Sequence, residues 1–85
     1  MPLVTVKRKF NTKVCRVSLD GVPLQFLANV ATRNLPAGPH ALSWHVLGDL
    51  GQSYEISVTT PPGVECHPDE TLEEAMVFGA CPFTL

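Results

Sequence analysis

Three cysteines (Cys15, Cys66 and Cys81) and three histidines (His40, His45 and His67) carry what sulfur and imidazole chemistry this sequence has. A nucleophilic enzyme needs a Cys, Ser or Thr beside a histidine that a carboxylate holds in place. Cys66 and His67 are sequence neighbours, and adjacent side chains of an extended chain leave on opposite sides. No Gly-x-Ser-x-Gly turn exposes a serine. Cys66, His67, Cys81 and His40 are zinc-type ligands, yet no Cys-x-x-Cys or His-x-x-x-His pair supplies a local chelate. His40 and His45 are five apart, so a regular strand sends them to opposite faces, with His40 shaping the loop before the strand through a hydrogen bond. The sequence thus assigns no catalytic, cofactor-binding or metal-binding residue, and a protein that is not an enzyme and holds no cofactor is expected.

The cysteine count is odd, which argues against a complete disulfide framework. Cys15 shares a face with Val17 and Leu19, and burial as a small hydrophobe is its simplest reading. Pairing Cys66 with Cys81 would be worth ~3 kcal/mol by loop closure. For a chain without a secretory leader, free thiols are the expectation. Residues 1–20 hold no apolar run of the ~7–15 residues that a leader needs. No run approaches the ~18 apolar residues of a membrane span. These features leave the compartment unassigned, with the cytoplasm the default expectation.

Net charge is −2, without the basic footprint of a nucleic-acid binder. No glycine-rich phosphate fingerprint occurs. Lys7 and Lys9 share a face, but few aromatics accompany them to stack bases. Lysines on an edge strand also block sheet-to-sheet aggregation, which is the reading adopted for them. Basic residues gather near one end of the sequence (Lys7, Arg8, Lys9, Lys13, Arg16) and acidic ones near the other (Glu65, Asp69, Glu70, Glu73, Glu74). Either cluster is a docking patch, or the two ends lie close and soften each other's field; the second is expected.

The elements that must position these residues are mostly strands. Eighty-five residues form one domain, 1–85. Val4 and Val6 alternate with Thr5, Lys7 and Lys9 over 3–10, and Cys15, Val17 and Leu19 alternate with Val14, Arg16 and Ser18. Asp20-Gly21 tolerates the positive φ of a tight hairpin turn. Leu24 to Val30 reads as a third strand, and 34–39 as a loop kept from helix by two prolines and a glycine. Leu42, Trp44 and Val46, then Tyr54, Ile56 and Val58, form two alternating runs around Gly48-Asp49-Leu50-Gly51, predicting a hairpin. Pro61-Pro62-Gly63 stops the second run, with Pro62 and Gly63 central in a type II turn. Thr71 and Glu74 fit a capping box, with Leu72, Ala75 and Met76 at helical spacing, so a short helical turn is predicted near 70–76. Val77 and Phe78 return to strand.

Val17-Ser18-Leu19-Asp20-Gly21 and Leu35-Pro36-Ala37-Gly38-Pro39-His40-Ala41-Leu42, with the run closing at Val58, resemble bacterial β-modules of the PEGA type over residues 14–60. The literal Pro-Glu-Gly-Ala tetrapeptide is absent. The resemblance implies a compact immunoglobulin-like β-sandwich used for surface contact rather than catalysis.

The fold class expected is mainly all-β: a small antiparallel sandwich, immunoglobulin-like, of six or seven strands. Its core should contain Val4, Val6, Val17, Leu19, Phe26, Leu42, Trp44, Val46, Tyr54, Ile56 and Val58. The function expected is a non-catalytic binding or accessory module contacting protein or cell-surface material, self-associating through exposed strand edges. The alternative is a metal-stabilised or thiol-reactive domain using Cys15, Cys66 and Cys81. A protein partner or a second copy is implied, with no nucleic acid and no membrane span.

Overall fold

The computed structural model describes residues 2–85. Among them the chain forms eight strands: β1 (Leu3–Phe10), β2 (Val14–Leu19), β3 (Val22–Pro23), β4 (Val30–Asn34), β5 (Pro39–Leu47), β6 (Ser53–Thr60), β7 (Asp69–Thr71) and β8 (Met76–Thr84). They make two antiparallel four-stranded sheets, ordered β4-β1-β6-β7 and β3-β2-β5-β8. Alternation decides the inner faces. Val4 and Val6 of β1 and Tyr54, Ile56 and Val58 of β6 join Cys15, Val17, Leu19, Leu42 and Val46 in one buried cluster. Leu35, Cys66, Leu72 and Phe83 complete it. Phe26 and Trp44, expected in the core, are only partly buried and pack against it.

The runs around Gly48–Gly51 are strands as expected, but they do not pair. β5 lies between β2 and β8, while β6 lies in the other sheet between β1 and β7. Alternation fixes which face is buried without fixing the neighbour. Here Leu42 and Val46 meet Tyr54 and Ile56 across the core instead of beside them. The link crosses between sheets at Gly48, where a side chain would strike the Gln52 carboxamide and crowd Leu72 and Thr12.

Residues 24–29 are not a strand either. After the tight Asp20-Gly21 turn (φ +51° and +79°), the chain must leave β3 and cross to the other sheet to begin β4. It crosses through a second tight turn at Ala28 and Asn29, both left-handed, closed by reciprocal bonds between Leu27 and Val30 (2.9 and 3.1 Å). β1, with its neighbours β4 and β6, is interior to its sheet. Lys7 and Lys9 therefore project from that sheet's outer face and guard no edge.

No helical turn forms at 70–76. Thr71 ends β7 opposite Ser53, and the Leu72 N–H donates to the Gln52 carbonyl at 2.7 Å. Leu72 is buried whereas Ala75 and Met76 are exposed, so the segment has one anchor and no apolar stripe to bury. Gly63 adopts φ +94°, as the third position of a type II turn requires.

Two sets of contacts join the sheets at opposite sides. Cys66, just before β7, is disulfide-bonded to Cys81 of β8, correcting the expectation of free thiols. The two sulfurs meet because the segment before β7 runs beside β8, a proximity that sequence spacing does not encode. Toward the β4/β3 side, Arg33 donates to the carbonyls of Leu19, Val22 and Pro23 (3.3, 3.3 and 3.0 Å). Arg8 donates to the Cys15 carbonyl while its guanidinium lies 4.0 Å from the centre of the Phe26 ring.

Trp44 lies opposite Gly79 of β8, and a Cβ at 79 would fall well inside contact distance of the indole. Gly79→Ala is therefore expected to destabilise the fold by ~1–3 kcal/mol through overpacking. Urea unfolding followed by the emission of the lone tryptophan measures this. An unshifted midpoint would show that the indole does not rest there.

Candidate functional site

The residues singled out for reactive chemistry are scattered. Cys15 is buried on β2, separated from Cys81 on β8 by the intervening β5. Burial pushes its thiol pKa up, opposed by the nearby Arg8 charge, so little reactive thiolate forms at neutral pH. Cys66 and Cys81 are bonded to each other. His67 is exposed, 3.6 Å from a Glu55 carboxylate oxygen. His45 stacks on Phe78 with ring centroids 4.2 Å apart. Among the described residues no three His, Cys, Asp or Glu side chains converge as metal ligands. No helix there is long and apolar enough to cross a membrane.

His40 makes the hydrogen bonds expected of it. Its side chain is 7% exposed, with Nδ1 2.6 Å from Asp20 Oδ2 and Nε2 2.7 Å from the Pro36 carbonyl. A carbonyl and a carboxylate both accept, so both ring nitrogens must donate and the imidazolium is favoured. The Pro36 carbonyl and then Asp20 accordingly raise the His40 pKa. His40 and then the Ala41 N–H lower that of Asp20. The Ala41 N–H donates to Asp20 Oδ1 at 2.8 Å, so the Asp20-Gly21 turn, the 35–38 loop and the start of β5 are joined at one point. That joint is a structural clamp.

The chain's most exposed apolar features lie elsewhere. Leu27 and Leu50 stand singly at loop tips, as apolar side chains on ordinary surfaces do. Phe78 and Met76 are 66% and 48% exposed, and both project from the outer face of β8. β8 is also an edge. Gly38 and Leu85 exchange both backbone bonds (3.0 and 2.9 Å), and the Gly48 N–H donates to the Ala75 carbonyl. With the unbroken register between β5 and β8, these bonds set the alternation along the whole strand. Val77, Gly79, Cys81 and Phe83 turn their backbone groups toward β5. Met76, Phe78, Ala80 and Pro82 turn theirs outward, where no strand pairs them among the described residues.

The other three edges are blunted. β3 has two residues, one of them Pro23; β7 has three, including Asp69 and Glu70; β4 is spanned by the Arg33 fork onto the β3 carbonyls. Short strands, charges and proline are the usual protections of a sheet edge. On β8, Pro82 protects one end and the segment carrying Cys66 lies against Cys81, but from Met76 to Ala80 nothing does.

Family models, curated proteins and solved structures were compared with this chain, and none matches.

Beside the open stretch, an open crevice of about 480 Å³ separates β8 from the β7 edge, lined by Glu70, Thr71, Glu73, Glu74 and Val77. Glu70 accepts the Tyr54 hydroxyl at 2.9 Å. Burial first, and Glu70 second, push the Tyr54 pKa up to about 12, so the phenol stays protonated as donor. Glu73 and Glu74 make no ion pair or hydrogen bond among the described residues. At the opposite end of the same charge pattern, Lys9 lies across from Glu55, which lies across from Asp69. Lys9 and Asp69 thus share one sheet with Glu55 between them, and among the described residues no ion pair joins the basic and acidic ends of the sequence. Phe78 as a surface residue escaped sequence reasoning because Met76-Val77-Phe78 alternates into Gly79, which hides the inner face of β8.

The clamp predicts a pH dependence. A raised His40 pKa stabilises the fold fully below the ordinary histidine value of about 6.5, and that stabilisation is lost as pH rises through the folded-state value. A lowered Asp20 pKa stabilises it fully above the ordinary aspartate value of about 3.9, and that part is lost as pH falls through the folded-state value. Stability is expected to peak between these ordinary values and to decline on the alkaline side. Urea midpoints across the range should show this decline in the native chain and a flattened alkaline arm in His40→Gln. An identical alkaline slope in both proteins would remove His40 from the account.

Proposed function

We propose that this chain is a non-catalytic binding module that contacts another protein by accepting a strand on the open edge of β8. The observation that carries the reading is the unguarded stretch Met76–Ala80, with outward N–H and C=O groups at 76, 78 and 80 beside the exposed Phe78 ring. Edge addition draws affinity from such main-chain groups and specificity from alternate side chains. Pro82, with no N–H to offer, limits the docking stretch at its far end.

In this reading the chain is a small immunoglobulin-like β-sandwich, similar in use to the PEGA-type modules. Two sheets joined by repeated crossovers support the sandwich. The His40 clamp joins the two motifs, Asp20-Gly21 and Pro36 to His40, on which the proposed likeness to PEGA modules rests.

An unbiased peptide-display selection on the folded chain tests the proposal. Selected peptides should perturb β8 resonances and lose about tenfold or more in affinity to Ala80→Pro, which deletes one outward N–H and leaves the ladder to β5 intact. Peptides that gather on another face, or that ignore Ala80→Pro, would refute it.

A further inference from the structure

A strand seated on β8 alternates its side chains between two unlike surroundings. On the outer side it meets Met76 and Phe78, the latter backed by the His45 ring, which leaves the other face of Phe78 free. On the inner side it hangs beside the β7 edge, where Glu70, Glu73 and Glu74 line the crevice and no basic residue does. We infer that the segment β8 accepts is an extended stretch of a partner protein in which basic residues alternate with apolar ones. The apolar side chains lie on Phe78 and Met76, and the basic ones enter the carboxylate crevice. This inference rests on the proposal that β8 is the contact edge and adds the chemistry of what docks there.

Charge argues for this occupant over the others. β8 itself carries no charged residue, so pairing β8 with β8 of a second copy would bring two acidic crevices together with no cation between them. An acidic segment or a nucleic acid meets the same repulsion. Glu73 and Glu74 are unpaired among the described residues, and Glu70 keeps one carboxylate oxygen free of the Tyr54 bond, so an incoming cation displaces no existing partner.

Three synthetic peptides of about seven residues, a typical strand length, test the inference. They share Val and Phe at alternate positions and carry Lys, Thr or Glu at the others. Binding to the full chain is read by fluorescence anisotropy at low and high salt. The Lys peptide should bind about tenfold tighter than the Thr peptide, with the Glu peptide weakest and the preference shrinking at high salt. Glu73→Gln with Glu74→Gln should remove most of the preference without loss of fold. Ala80→Pro and, independently, Phe78→Ser should weaken all three peptides.

Lys and Glu peptides binding equally, yet sensitive to Ala80→Pro, would overturn the charge assignment while the contact edge stands. Lys-peptide binding indifferent to both β8 variants would overturn the inference and the contact edge together, as would no binding at all. Dimerisation of the chain abolished by Ala80→Pro would make a second copy the occupant and overturn the inference.

Discussion

Alternate side chains of β1, β2, β5 and β6, apolar except at Arg8 and His40, interlock between the two sheets, and most of the remaining structure follows from keeping that layer closed. Among the described residues the chain changes sheets at five of seven connections, so opposite faces of the core are laid down largely in alternation along the sequence. Each crossing exposes the layer's rim to water, and the rim is sealed by different means on its two sides. Arg8 and Arg33 reach from one sheet to carbonyls of the other, among them those of Cys15 and Pro23, which the short β3 leaves without strand partners. On the far side the Cys66–Cys81 bond holds the segment before β7 against β8. The two seals leave a molecule whose inside is fixed and whose β8 edge faces outward.

The long alternating runs were legible in the sequence because six or more residues of period two admit only one buried face. Val4 and Val6, Val17 and Leu19, Leu42 and Val46, and Tyr54 and Ile56 are all buried where alternation put them. Pairing was not legible. A buried face says nothing about which strand lies alongside, so the runs on either side of Gly48–Gly51 could be read as a hairpin although they face each other across the core. Short elements were lost for a related reason. β4 buries fully only Ala31, and the stretch after Thr71 has only Leu72 to anchor it, too few positions to show any period. The helical spacing of Leu72, Ala75 and Met76 was a coincidence of composition that the Leu72–Gln52 backbone bond overrides.

The candidate site was half visible. The acidic cluster and a strand at Val77-Phe78 could both be read from the sequence, but their juxtaposition depends on β8 lying at the end of its sheet above β7. Gly79 hides the inner face of that strand in the sequence, and it is the residue that Trp44 requires. The same glycine that accommodates the indole inside β8 leaves Phe78 next to it as the apolar landmark outside. Sulfur and imidazole serve the frame: one thiol in the core, two sulfurs in a disulfide between the segment before β7 and β8, and one histidine clamping a turn to a loop.

All of this turns on whether β8 is bonded on one side only. Amide hydrogen exchange of the free chain, read residue by residue, measures that directly. The account predicts slow exchange at Val77, Gly79, Cys81 and Phe83, and exchange about a hundredfold faster or more at Met76, Phe78 and Ala80. Equal protection of both sets would mean that the edge is already covered, and would contradict the account.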